Sequence, residues 1–451
     1  MRKQVVDKLE SYIEGQVSVD GFCGTILVEQ SGNRLLSKGW GLANREHLIP
    51  NQIETKFRIG SVSKQFTAAA ILLLQEHGKL SINDKLSRFI KDYPNGDIIT
   101  IHHLLTHTSG IPNFTNFSEY RSMARVFSPP KSTITHFKDL RLDFYPGERF
   151  SYSNSGYVVL ARIVELVTGE CFSNFLEKSI FRAVGMYNTG TDNSDAVLLN
   201  RASGYKVWGD YVHADYIEMS IMMGAGGLYS TVEDMYLWDI ALYLDKLLSK
   251  KSRDLMMTPH VAVNGTTSYG YGLNISNKAI LKNSLQTHKV IGLSGAIDGF
   301  MTEYQRYIDE ELLIIVMSNV HPSQPAIILK DVARIVLGEE VPIPQSPKNI
   351  TVDHSLYDNY TGKYLSNNNK FSPEITVENS KLYIAYEPWY KYELRPIETY
   401  QSSGTSLFRT VGAAGELEFF HDEVGRVEKG LFHLFNKTMN LTPINANQDL
   451  N

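Results

Sequence analysis

The chain has 451 residues, 43% of them hydrophobic and 21% charged, which excludes a disordered protein and exceeds what one typical core holds. A net charge of −5 leaves no basic footprint for nucleic acid, and the two cysteines, Cys23 and Cys171, give neither a disulfide framework nor a metal spacing. The opening M-R-K-Q-V-V-D-K-L-E has no apolar signal core and no apolar run spans a bilayer, so a cytoplasmic location is expected.

Val5, Val6, Leu9, Tyr12 and Ile13 are spaced as a short amphipathic helix. Two strand-like runs, 24–29 and 34–40, follow, with Gln30-Ser31-Gly32-Asn33 as the turn of a hairpin. Then comes F-R-I-G-S-V-S-K-Q-F-T-A-A-A-I-L-L-L-Q-E-H-G, residues 57–78. Phe66, Ala69, Ala70, Leu73 and Leu74 recur at helical steps, and 71–74 are all apolar, so this helix is expected to be buried nearly all round. Gly60-Ser61 predicts its start, with Ser61 able to cap it, and Gly78 its stop. Ser61 and Lys64 lie one turn apart on one face. A lysine at the start of a buried helix loses hydration and meets the positive end of the dipole, and both lower its proton affinity. A partly neutral amine beside a hydroxyl makes that hydroxyl a nucleophile.

Thr100 predicts the cap of a short helix ending before Gly110. His103 and His107 stand four apart in it, but no third ligand is near, so hydrogen bonding rather than metal binding is expected of them. Residues 111–145 read as a long surface excursion. Pro146-Gly147 is a turn, and Tyr157, Leu160, Ala161, Val164 and Val167 predict a helix stopped by Gly169. Tyr152, Ser153 and Asn154 thus sit on the loop entering it, where they suit a site and equally a cap.

Thr231 is expected to cap a further helix. The run I-G-L-S-G-A-I-D-G-F, 291–300, precedes strands at 301–306 and 312–318 and a helix from about 325 to 337. Hairpins at both ends with flanking helices predict an α+β fold: one antiparallel sheet, with the middle of the chain as an all-helical insertion. Three prolines in V-P-I-P-Q-S-P-K predict a linker, 342–352. Beyond it, turns at Asn379-Ser380, Ser403-Gly404 and Glu423-Val424-Gly425 separate short aromatic strands and predict a small C-terminal β-barrel. The expected domains are 1–341 and 353–451, the first able to fold alone.

Ser61-Val-Ser-Lys64, Tyr152-Ser-Asn154 and Leu293-Ser-Gly295-Ala296 occur in one order, set in F-R-I-G-S-V-S-K-Q-F-T, L-L-T-H-T-S-G-I-P and G-A-G-G-L-Y-S-T. Over roughly residues 15–340 this resembles the serine β-lactamase and penicillin-binding fold, in its class C-like branch of β-lactamases, D-alanyl-D-alanine carboxypeptidases, D-aminopeptidases and esterases. The tail is similar to the lipocalin-like domain of some members.

The resemblance implies a serine acyl hydrolase working through an acyl-enzyme on an ester or amide, with no cofactor and no metal. Ser61 would be the nucleophile, Lys64 would take or relay its proton, and Tyr152, favoured as phenolate by the ammonium, would serve as base and then as acid. The amides of Ser61 and Ala296 would form the oxyanion hole, and Asn154, Leu293, Ser294 and Gly295 would line the substrate site. Asn319 would help hold a substrate carboxylate. The substrate is then a small molecule or short peptide, and an oligomer stays open. Leu293 departs from the lysine or histidine of relatives and cannot attract a carboxylate, unless His288, Lys289 or Arg306 supplies the charge. The alternatives are a penicillin-binding protein or D-peptidase acting on D-amino-acid peptides, and a non-catalytic penicillin-recognising or scaffold protein.

Overall fold

β1 (Gly24–Gln30) and β2 (Asn33–Trp40) form the first hairpin. Ser31 and Gly32 turn it with φ of 49° and 78°, the backbone that matches strand twist in a two-residue turn. β3 (Asn274–Ala279), β4 (Thr287–Ile297), β5 (Phe300–Tyr307) and β6 (Leu312–Ser318) come from the other end of the sequence. The eight-stranded antiparallel sheet runs Val261–Ala262, Thr267–Tyr269, β3, β4, β5, β6, β1, β2. The computed structural model describes residues 2–282, 284–321, 323–345, 354–367, 372–387, 390–398, 404–413, 415–434 and 437–444.

Both faces of this sheet are buried, and alternation sorts the side chains between them. Ile26, Val28, Ile314 and Val316 join a core with α1 (Arg2–Ser18) on one side. Leu27, Leu313, Ile315 and Met317 join a larger core on the other, with α2 (Lys64–Glu76), α3 (Asn154–Thr168) and α4 (Val232–Tyr243). α5 (Pro325–Val336) completes the first core through Ile328, Leu329 and Val332. Every residue of α2 from Lys64 to Leu74 is buried. Thr231 caps α4 by accepting the Asp234 amide at 3.1 Å. The insertion also carries strands, notably a hairpin of Tyr205–Trp208 with Asp210–His213. Among the described residues no helix is long and apolar enough to cross a membrane.

Residues 362–443 form a closed barrel of eight strands, completed where Thr405–Thr410 pairs with Tyr390–Glu398. Closure removes the open edges, and Tyr364, Phe408, Leu417, Phe419 and Phe432 fill the interior. Asn379 and Ser380 turn one hairpin, both at positive φ. Ser403 and most of the proposed linker lie outside the described residues.

The barrel does not stand apart. Tyr205, Val207 and Val320 belong to its apolar core, and the Gly209 amide donates to the Lys391 carbonyl at 2.6 Å. Protease is expected to cut first near 342–345, which carry no regular structure and expose Ile343. The two halves should still elute together under native conditions, because the cut leaves that shared core intact. Separate elution would overturn the coupling.

Candidate active site

Phe57–Arg58 is a short strand that delivers the chain to a 3₁₀ turn, Gly60–Ser63, before α2 begins at Lys64. Gly60 has φ of 50°, and a Cβ there would stand 2.9 Å from the Ala296 nitrogen. A Cβ on Gly295 would in turn strike the Ile59 carbonyl. These two glycines let the turn and the edge of β4 touch.

The expected cap at Ser61 is absent: no side chain caps the turn or α2. The hydroxyl is engaged elsewhere. Tyr152 donates to Ser61 Oγ at 2.7 Å, and Lys64 Nζ lies 3.2 Å from the same oxygen. Lys64 Nζ also donates to Asn154 Oδ1 at 2.8 Å and to the Ala225 carbonyl at 2.6 Å. Burial holds Lys64 well below the usual ammonium range. A neutral amine has two hydrogens and one lone pair. In the neutral form the two carbonyls would take both hydrogens and leave the lone pair for the Ser61 proton.

Tyr152 is at the start of α3, where Ser153 is the cap position but its side chain bonds the Ile111 carbonyl instead. Burial pushes the Tyr152 phenol up to about 12, against the opposing hydrogen bond with Ser61. Burial thus opposes the phenolate expected at Tyr152. His107 packs against the Tyr152 ring with centroids 4.4 Å apart, and its Nδ1 accepts the Ser153 amide at 3.1 Å. Burial, then the nearby Lys64, keeps this imidazole neutral. His103 accepts the Thr100 amide in a capping box, so each histidine serves the backbone.

Strand register orients the Ala296 amide. The Ile308 amide donates to the Lys289 carbonyl at 2.9 Å, so Lys289 and every second residue after it bond to β5. Residues between them point their amides the other way. β3 takes up those of Val290 and Gly292 and ends there, with Asn274 opposite Gly292. The Ser294 and Ala296 amides are left on the open edge, against Gly60-Ser61. This is the arrangement an oxyanion hole requires.

Other expected residues lie differently. Leu293 is buried, 5% exposed, on the face of β4 that also carries Ile291 and Ile297 toward the helices. Ser294 turns to the opposite face and donates to the buried Glu303 at 2.9 Å. Asn154 binds Lys64 and donates to Thr115 Oγ1 at 3.0 Å. Asn319 does not reach the site. It is fully buried and donates to the Leu42 and Ser203 carbonyls, both at 3.0 Å, and so ties three segments together. His288 pairs with Glu310 and Arg306 with Asp239. Lys289 is four residues from Leu293, about 13 Å along the strand.

A cleft of about 510 Å³ opens over these groups, lined by Thr115, Phe117, Tyr120, Asn154, Met222 and Ala296. Arg121, Asp298 and His321 also line it, with Arg121 Nη1 on Asp298 Oδ2 at 2.5 Å. The 111–145 excursion thus supplies one wall. The barrel reaches His321, where Tyr390 Oη stands 3.5 Å from Nδ1. Ala225, Thr115, Arg121 and Asp298 had no signal of their own in the sequence beyond membership of the G-A-G-G run or the excursion.

Comparison with known proteins agrees with this layout. Residues 14–337 match the family model described as beta-lactamase. Penicillin-binding protein 4* of Bacillus subtilis is 32% identical over 86% of this chain and 88% of its own length. The D-aminopeptidase of Brucella anthropi is 26% identical over 70% of this chain and 60% of its own. The octameric penicillin-binding protein homologue from Pyrococcus abyssi superposes with a TM-score of 0.65 at 25% identity, over 97% of this chain and all of that one. With a family match over most of its length and a relative this similar from end to end, the chain belongs to the beta-lactamase family of serine hydrolases.

Proposed function

We propose that the protein is an acyl hydrolase that turns over esters or amides through an acyl-enzyme on Ser61. The observation that carries this is the Ser61 hydroxyl held between the Tyr152 phenol at 2.7 Å and the buried Lys64 amine at 3.2 Å. Ser61 Oγ attacks the carbonyl carbon and gives its proton to Lys64, while the new oxyanion is met by the Ser61 and Ala296 amides. Tyr152 donates its proton to the departing alcohol or amine, and the Lys64 ammonium stabilises the phenolate left behind. Water then gives a proton to Tyr152 and attacks the acyl carbon, and Ser61 Oγ leaves with the proton from Lys64. Tyr152 therefore acts as acid first and base second. The cleft runs from Asn154 and Ala296 to Asp298 and does not include Leu293, so the bulky acyl group is assigned to the Asp298 side and the leaving group to the Leu293 side.

A panel of p-nitrophenyl esters, β-lactams and D-amino-acid amides, each followed by intact mass, tests the reading. Turnover supports it, and a stable adduct with no turnover would favour a binding protein. Likeness to the Brucella anthropi enzyme is what recommends the D-amino-acid amides. The same reading includes a cytoplasmic location, in keeping with two free cysteines, and an oligomeric form, as in the Pyrococcus abyssi homologue. Fractionation and light scattering check these.

The protonation states set the pH profile. Lys64 must be neutral, so kcat/KM should rise as pH climbs through its depressed pKa, well below the ordinary 10.5. It should then stay level until Tyr152 loses its proton near 12. Initial rates across pH, corrected for spontaneous hydrolysis, check this. An acid limb near pH 10 would show that Lys64 keeps its ordinary proton affinity and would overturn the depressed pKa.

A further inference from the structure

We propose that a second cavity beside the cleft is a subsite for a carboxylate on the acyl part of the substrate. The inference rests on the acyl-enzyme reading only for the direction of the substrate. The cavity holds about 530 Å³ and is lined by Arg58, Arg201, Ser203, Tyr216, Asp298 and Phe300, among others. Asp298 lines the cleft as well, so one carboxylate stands at the junction of the two spaces. It lies two residues beyond Ala296, on the side away from Leu293. An acyl chain attached to Ser61 and running past Asp298 enters this cavity. Arg58 is only three residues before Ser61, so their Cα atoms are at most about 11 Å apart.

The charges favour an anion. Arg58 Nε donates to Asp192 Oδ2 at 2.5 Å, and Arg201 Nη1 donates to Asp192 Oδ1 at 3.1 Å. Asp192 is buried, so two guanidiniums share one carboxylate. Among the described residues neither arginine has another side-chain hydrogen-bond partner, which leaves both Nη atoms of Arg58 and Nη2 of Arg201 as donors. The Arg58 side chain is only 10% exposed, and what it exposes faces this cavity. The acids on the opposite wall are already matched. Asp298 is bound by Arg121, and Asp215 by Lys206 at 3.0 Å with Arg121 at 3.7 Å. His213 at the same cavity is paired with Glu46. Both acids that line the cavity are matched by cations outside its lining, so the surplus charge sits on Arg58 and Arg201, which share Asp192. Forked guanidinium donors suit a carboxylate in particular. The volume admits far more than an ion, so the ligand is the charged end of an organic acyl chain.

The test compares two esters with the same leaving group: p-nitrophenyl hydrogen suberate and its neutral methyl ester. Wild type is expected to favour the acid by about tenfold in kcat/KM. Arg201→Gln should bring the ratio near one while leaving the neutral ester unchanged, and Arg201→Lys should restore part of it. Equal rates on the two esters in wild type, or an equal loss on both in Arg201→Gln, would overturn the subsite. If neither ester is hydrolysed, the acyl-hydrolase reading fails on its own. Calorimetric titration with suberate then tests the cavity alone: affinity weakened about tenfold by Arg201→Gln supports it, and identical affinity overturns it.

Discussion

Replacing Ser61 with alanine is expected to abolish acylation by every carbonyl probe and to lower turnover by at least about 10⁴-fold. The size follows from the chemistry, since among the described residues Ser61 carries the hydroxyl that lies between the Lys64 amine and the Tyr152 phenol. The fold should be untouched. The lost hydroxyl caps no helix. Stability should change by less than about 1 kcal/mol. Intact mass after incubation with an activated ester checks the first claim and thermal unfolding the second. The same adduct on the alanine variant would remove Ser61 from the mechanism.

The second large effect is expected at Leu293. β-Lactams and peptide C-termini carry a carboxylate on the leaving-group side, and leucine offers it nothing. A charge-assisted hydrogen bond there contributes about 1.5–3 kcal/mol, which is roughly ten- to a hundredfold in rate. His288 and Arg306 do not fill the gap, because they are held by Glu310 and Asp239, and Lys278, which shares a pocket with Leu293, donates to Gln305. Leu293→His and Leu293→Lys should therefore raise kcat/KM for anionic β-lactams and leave neutral esters unchanged. Histidine is the gentler test, because the position is 5% exposed and imidazole can enter it uncharged. An unchanged ratio of the two activities in both variants would show that the charge is supplied elsewhere.

The parts legible in the sequence are those set by local spacing. Ser61 and Lys64 meet because three residues make a helical turn, and β1 pairs with β2 because a two-residue turn joins them. Pairing between the chain's two ends was readable as paired hairpins, although their register was not. That register decides Ser294: one step along a strand reverses the face, so its hydroxyl meets Glu303 rather than the cleft. Asn319 misled for a similar reason. The role implied for it by the family resemblance gives way once the carbonyls of Leu42 and Ser203 are brought to it from distant segments. The protonation of Tyr152 was beyond sequence because burial, which is tertiary, raises the phenol. The barrel's hold on Tyr205 and Val207 was hidden likewise, since prolines mark a joint without saying what packs across it.

In the proposed mechanism the nucleophile, the base and the acid carry no charge at rest, and uncharged groups create no field for dissolved ions to screen. Turnover of an uncharged ester is then indifferent to ionic strength, and the enzyme's chemical step works alike in dilute buffer and in brine. Recognition by Arg58 and Arg201 is of the opposite kind, a partly solvated charge that salt weakens. Chemistry and selection in this protein thus answer to different properties of the medium, and salt separates them without any mutation.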